Sequence, residues 1–503
     1  MRSMIRAGVS AVATGMAMVV FTATASAAPE PGAPGVGDPY YPRAGNGGYD
    51  VSHYNVRLRY QPKTDHLAGT TTILATTTQE LSRFNLDFAL DVESVRVNNR
   101  PAEFHKAPDD SSELVVTPAE PLDDGAFLLV TVRYSDTPSE VVAHGFTAWS
   151  DIGNGALAVG QPKIAEWWFP SNDHPTDKAT YDVSVAVPEG VEAISNGVLV
   201  DKDQKRAGWV RWNWRSTEPQ ATYLTFLAVG QYEIMRSTTP SGTPMLTAYS
   251  DALGANAPAA KASVQRTPEV VAFLESKFGP YPFHAQGGVV SGGLGFALET
   301  QTRSVYDKVF FDEGANLSVV VHENAHQWFG DSVALHRWSD IWLNEGFASY
   351  AEFMWSEHAG EGTAAELAAY VYNTHPADDE FWQVPPGDPG QANQFHPAVY
   401  MRGAVAIQAL RTEVGDEDFF DILRTWQQRQ AGGDATIDEF IGLAEEISGE
   451  PLHQLFQTWL FTKGKPPVGP NGSAAQTRIA AADPAMPESY PEIVRTHTHL
   501  HQQ

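Results

Sequence analysis

His322 and His326 stand four residues apart in the run Val319-Val320-Val321-His322-Glu323-Asn324-Ala325-His326-Gln327-Trp328-Phe329-Gly330. On a helix that spacing puts both imidazoles on one face, one turn apart, where they converge on a single ion. Glu323, beside the first histidine, is placed to take a proton from water rather than to bind metal. The apolar residues Val319 to Val321 ahead, and Trp328 and Phe329 behind, predict a helix buried enough to hold the ligands rigidly. A helix that carries two histidines and an acid by accident is the plain alternative. In a chain this long a chance match is on the order of a few per cent.

The third ligand separates the classes of site. A three-histidine pattern would need Gly and His at 329 and 332, where Phe329 and Ser332 stand, and the spacing of His336 fits no zinc pattern. Glu345, within Trp338-Ser339-Asp340-Ile341-Trp342-Leu343-Asn344-Glu345-Gly346, follows His326 after eighteen intervening residues, room for a turn and the start of an antiparallel helix. Two histidines and a carboxylate leave the fourth position of a tetrahedral Zn²⁺ open, as a catalytic site requires. One Zn²⁺ per chain on His322, His326 and Glu345 is therefore expected. Asn344, Asp340 and Glu352 are candidates for orienting these ligands, or else ordinary polar residues of a helix surface.

Elements that could position such a site follow from the periodicity. The chain has 503 residues, more than one core usually organises, so two or three domains are expected. Tyr54, Val56, Leu58 and Tyr60 alternate with polar neighbours, as a half-buried strand requires. Strand-like runs recur at Phe127 to Arg133, Tyr181 to Val187, Trp209 to Arg215 and Tyr223 to Val229. Residues 49–250 thus read as one large β domain, a sandwich or curved sheet. From Ala252 the period changes. Val264 to Phe278 predicts a helix stopped by Gly279-Pro280, and Thr436 with Glu439 makes a capping box. Residues 251–466 read as a mainly helical catalytic domain. Between Ala28 and Gly48, Pro and Gly predict a linker or extended arm. Residues 467–503 read as a disordered tail whose His497, His499 and His501 could bind metal loosely.

Composition limits the partners and the compartment. The formal charge is −28, from 33 basic and 61 acidic residues, which repels nucleic acid and anionic membranes, so neither is expected as a partner. Hydrophobic residues at 42% supply a packed interior. Arg2 and Arg6, the apolar stretch from Ala7 to Phe21 and the small residues Ala25-Ser26-Ala27 predict a secretory signal over residues 1–27, cleaved after Ala27, and an extracellular protein. There is no cysteine, so no disulfide contributes to stability. A monomer is expected.

These motifs resemble the gluzincin aminopeptidase family, the group of aminopeptidase N and the leukotriene hydrolases. His-Glu-two-His, eighteen residues and Trp-Leu-Asn-Glu-Gly are all present. The similarity extends to Gly279-Pro280-Tyr281-Pro282-Phe283, to Gln161-Pro162-Lys163 with Phe169-Pro170 and Asp173-His174-Pro175, to Val399-Tyr400-Met401-Arg402-Gly403-Ala404, and to Trp459-Leu460 with Gly464 and Pro466. The long helical C-terminal domain of larger members has no counterpart. The resemblance implies an N-terminal all-β domain followed by a thermolysin-like zinc peptidase domain, and removal of residues from peptides with a free amino terminus. It implies Glu323 as general base and Tyr400 as hydrogen-bond donor to the oxyanion. Glu299, within Phe296-Ala297-Leu298-Glu299-Thr300, would hold the substrate's α-ammonium, with Ala297 and Gln161 lining the same subsite. Phe296 and Thr300 depart from the family's glycine and asparagine. A zinc endopeptidase and an inactive zinc-binding scaffold are the alternative readings.

Overall fold

A computed structural model describes residues 28–206, 208–472 and 485–500, the side chains of 203–206 excepted. The leader expected over residues 1–27 lies outside these, as does His501. The N-terminal half is built on an eight-stranded sheet. In chain order its strands are β1 (Tyr49–Gln61), β2 (His66–Thr77), β3 (Val92–Val97), β4 (Arg100–Pro101), β5 (Phe127–Asp136), β6 (Ala179–Pro188), β7 (Val198–Arg206) and β8 (Trp209–Gln220). In space they run β7-β8-β6-β1-β2-β5-β3-β4, and β6 lies parallel to β1 while the other pairs are antiparallel. The alternation in β1 does what its residue types require: Tyr54, Val56, Leu58 and Tyr60 are buried, and Asn55, Arg57 and Arg59 face solvent. Each such aliphatic side chain stabilises the fold by about 1.5–3 kcal/mol relative to exposure.

A second sheet has five strands in the order β9 (Tyr232–Thr238), β10 (Pro244–Ser250), β11 (Gln286–Ser291), β13 (Ser304–Asp307) and β12 (Ala297–Leu298), with β12 as an antiparallel edge. It has two apolar faces. Ala248, Val289, Leu298 and Val305 join the core of the β domain, whereas their chain neighbours Tyr249, Val290, Ala297 and Tyr306 join the helical core. A period of two sends successive residues to opposite faces, so one sheet mortars the two halves together. The strands β9 and β10, which the change of periodicity near Ala252 leaves with the β domain, pair within this shared sheet. Tyr223 to Val229 is likewise not one strand: Thr222–Leu224 is a tight helical turn and only Leu227–Gly230 is extended.

The helices are α1 (Ala257–Val264), α2 (Thr267–Phe278), α3 (Ser318–Ala325), α4 (Trp342–Ala359), α5 (Ala364–Thr374), α6 (Gly403–Gln430), α7 (Ile437–Ser448) and α8 (Tyr490–Leu500). The apolar run ending at Phe278 is two helices, broken at Gln265-Arg266, with Gly279 beyond the end at φ 99°. Thr436 and Glu439 form the reciprocal capping box at the start of α7. Two stretches of Pro- and Gly-rich composition carry more structure than it suggested. In the arm, Asp38 accepts the Trp338 backbone N–H at 2.7 Å, and the Tyr41 hydroxyl donates to Gln394 at 2.7 Å, so the segment straps the domains together. At the other end, residues expected to form a disordered tail include α8, whose Ile493, Thr496, His497 and Leu500 are buried. Among the described residues no helix is long and apolar enough to cross a membrane.

Candidate metal centre and active site

Helix α3 is buried along its whole length, and α4 is buried from Trp342 to Ser356. Between them His322 Nε2 lies 3.3 Å and His326 Nε2 3.4 Å from Glu345 Oε2, all three ligand atoms falling within 4.8 Å of one another. A tetrahedral ion with arms of about 2.0–2.1 Å has edges of about 3.3 Å, so the separations suit Zn²⁺. The far nitrogens are committed elsewhere. His322 Nδ1 donates to Glu352 at 2.9 Å and His326 Nδ1 to the Phe329 carbonyl at 3.0 Å. Both contacts fix the tautomer with an Nε2 lone pair aimed at the cluster. Two imidazoles and a carboxylate form a donor set that fits zinc.

The turn after α3 depends on Gly330. Its φ is 130°, and a Cβ there would meet Asn344 Nδ2 at 3.1 Å and His326 Nδ1 at 3.5 Å. The Asp340 carboxylate accepts from Arg337 at 3.0 Å. Exposed His336 pairs with Asp434 at 2.6 Å, which leaves it no part in the metal centre.

Charge crowds this interior. Burial lifts the Glu323 carboxyl to about 8 against the pull of His322 and His326. Burial also raises Glu299, opposed by His326 and reinforced by Glu345. The Glu345 carboxyl moves the other way: burial would raise it, but His326 and His322 outweigh that and hold it at about 2. One Glu323 oxygen has no hydrogen-bond partner among the described residues although the side chain is 1% exposed. Several buried carboxylates around two imidazoles are electrostatically suited to a cation.

Tyr400 is fully buried, its ring stacked on His322 with centroids 6.0 Å apart, and burial together with Glu345, Glu299 and Glu323 raises its hydroxyl. The wide helical turn Ala398–Arg402 that carries it is anchored by Arg402. That buried guanidinium donates to the carbonyls of Trp382 (2.9 Å), Val384 (3.2 Å), Trp459 (3.1 Å) and Thr462 (2.6 Å). The distant Trp459-Leu460 pattern is thereby tied to the tyrosine motif.

Glu299 follows directly after the edge strand that holds Ala297, and both are buried. The Tyr223 hydroxyl donates to Glu299 Oε1 at 3.3 Å, and Gln327 Nε2 donates to the Glu299 carbonyl at 2.9 Å. Thr300 turns its hydroxyl to the Arg303 carbonyl at 2.7 Å, so its side chain serves the turn. Gln161 is buried in the β domain, in the loop before the Ala165–Trp167 turn. The sequence carries no sign of a role for Tyr223, Gln327 or Asp331, and His497, expected as a loose metal binder in a tail, is instead buried against Glu352. Tyr223 comes from the β domain and reads as core. Asp331 is a buried carboxylate with no hydrogen bond to either oxygen among the described residues, held near the cluster's charges.

A two-domain fold whose helical half holds a His-Glu-His-Glu site defines a class of zinc metallopeptidase. The peptidase M1 N-terminal domain model matches residues 51–224 and the peptidase family M1 domain model residues 297–459, so the chain belongs to peptidase family M1. It is similar to glutamyl aminopeptidase of Rattus norvegicus (28% identity over 356 residues, 65% of this chain and 37% of that protein). Aminopeptidase M1-A of Oryza sativa is 28% identical over 403 residues, 73% of this chain and 44% of its own length. The chain thus spans less than half of these curated relatives. The M1 zinc metallopeptidase of Deinococcus radiodurans superposes with a TM-score of 0.76 at 28% identity, covering 86% of this chain and 98% of that one. A mutant of that protein has been solved with a Tyr-Ser-Ala substrate.

Proposed function

We propose that this chain is an exported zinc aminopeptidase that works as a monomer with one Zn²⁺ and shortens peptides from a free amino end. The observation that carries the reading is Glu299: a buried carboxylate, one residue past an edge strand, within the electrostatic reach of His326, Glu345 and Tyr400. A carboxylate so placed is compensated by a substrate α-ammonium, through a charge-assisted hydrogen bond that a blocked amino group cannot make. Tyr223, donating to the same carboxylate, fixes its rotamer.

His322, His326 and Glu345 would hold Zn²⁺, which would supply Lewis acidity to the carbonyl and acidify water. Glu323, one of whose oxygens has no partner among the described residues, takes the proton from the attacking water and passes it to the leaving amine. Tyr400 donates its hydroxyl to the oxyanion that develops on the carbonyl, an interaction that strengthens only as the barrier is climbed. Since β12 ends at Leu298, a substrate whose ammonium is fixed at Glu299 is measured from its first residue. The support for export is the charged start at Arg2 and Arg6 with the small residues Ala25-Ser26-Ala27. One chain supplies every residue of the site, so a monomer is sufficient.

The test is a free peptide incubated with protein spanning residues 28–503, its products followed by mass spectrometry, beside Glu323→Gln and a chelator control. A ladder shortening from the amino end, abolished in both controls, is expected. Internal cleavage would favour the endopeptidase reading, and no cleavage by a zinc-loaded protein would favour the inactive scaffold.

A further inference from the structure

Helix α8 approaches the metal helix through three polar residues on one face. Glu492 Oε1 accepts the backbone N–H groups of Leu317 at 2.7 Å and Ser318 at 2.9 Å. Helix α3 has no side-chain cap from its own N-cap residue, Leu317, so a carboxylate from 175 residues away takes that place, at the positive end of the helix. One turn on, Thr496 Oγ1 accepts from Asn316 Nδ2 at 3.0 Å. His497 then reaches deepest. Its Nε2 donates to Glu352 Oε1 at 2.8 Å, the same oxygen that accepts His322 Nδ1 at 2.9 Å. Glu352 Oε2 accepts from Ser318. The His497 ring stands edge-to-face to His322 (centroids 5.6 Å, 86°) and to Tyr400 (5.7 Å, 82°).

We infer that His497 is a positioning residue of the metal centre: through Glu352 it holds His322 in register, and the C-terminal segment is thereby a working part of the zinc site rather than an appendage. A carboxylate fixed only by Ser318 and His322 can turn about its terminal torsion, which is broad. A second nitrogen donor on Oε1 stops that rotation and keeps the acceptor in line with His322 Nδ1. Groups that orient metal ligands in this way typically contribute about 10–100-fold in metal affinity. Ile493 and Leu500, both buried, supply the apolar contact that seats the helix.

The inference rests on His322 being a zinc ligand, and the experiment separates the two claims. The full chain is loaded with zinc, and its release to a coloured chelator is timed for wild type, His497→Leu, His497→Phe, His497→Gln and, as control, Val494→Ala on the exposed face of α8. Leu and Phe remove the donor while keeping bulk; Gln keeps a donor. Circular dichroism checks that each variant is folded, and either donor-less variant suffices if the other does not fold. Expected is release at least about tenfold faster for Leu and Phe, with Gln and Val494→Ala within about threefold of wild type. Release at the wild-type rate in a folded donor-less variant, or equal acceleration in the Gln variant, would overturn the role of His497. A wild-type protein that takes up no zinc would overturn the metal reading with it.

Discussion

Among the described residues one Glu323 carboxylate oxygen has no hydrogen-bond partner, although the residue is 1% exposed, an arrangement that is costly unless the oxygen has work to do. Glu323→Gln is therefore expected to lower kcat by about 1000-fold while the zinc content, read by atomic emission, stays at the wild-type level. Tyr400→Phe removes one hydroxyl and leaves the stacking on His322. It should lower kcat by about 100-fold with KM nearly unchanged, which steady-state kinetics on a dipeptide amide would show. A rise in KM alone would place Tyr400 in substrate binding instead. At this scale the metal cluster could be read from residue types and spacing, because i and i+4 on a helix fix a geometry in one dimension. Glu299 and Tyr400 needed the likeness of their flanking motifs, since one carboxylate or one tyrosine has no periodicity to betray it. His497 was hidden for a different reason: its partner Glu352 is 145 residues away, and its surroundings have the composition of a tail.

Elements place these residues by short devices that are sensitive to one atom. Gly330 ends the turn that follows the metal helix, and Gly330→Ala puts a methyl against Asn344 and His326 with φ in the left-handed half of the map. A loss of about 1–3 kcal/mol in urea unfolding is expected, with weaker zinc retention. An unchanged midpoint would mean that the turn relaxes freely. The capping box of α7 was visible in the sequence because Thr436 and Glu439 satisfy each other locally. The membership of β9 and β10 was not visible. Their alternation says strand, but nothing in Tyr232 to Ser250 says that the neighbour is residue 286 and not residue 209, because pairing is decided by contacts distant in sequence.

Across the whole molecule, the two halves meet through the shared sheet, the N-terminal arm and Lys178. The Lys178 ammonium, from the residue just before β6, donates to the carbonyls of Asp331 (2.8 Å), Ser332 (2.9 Å) and Gly433 (3.3 Å). Burial brings this amine down to about 8, with Asp331 and Asp434 opposing the fall. The unfolded chain then holds the proton more tightly than the folded one. This group accordingly makes stability rise with pH from about 8 towards the ordinary lysine value of 10.5. Lys178→Met should flatten that rise, as urea midpoints at pH 7.5 and 10 for both proteins would reveal. The two-domain plan was legible in the change from period two to period 3.6 near residue 252, whereas the sheet that serves both cores was not, since its residues satisfy two interiors at once. The central claim joins the scales: a metal site between helices, and a carboxylate beside an edge strand that counts from the substrate's first residue. It is tested most directly by matched peptides that differ only in acetylation of the amino end, incubated with the zinc-loaded protein and read by mass spectrometry. The account predicts that free peptides shorten from the amino end and acetylated ones survive. Internal cleavage of the acetylated peptides would contradict it, leaving the zinc chemistry intact and the role of Glu299 wrong.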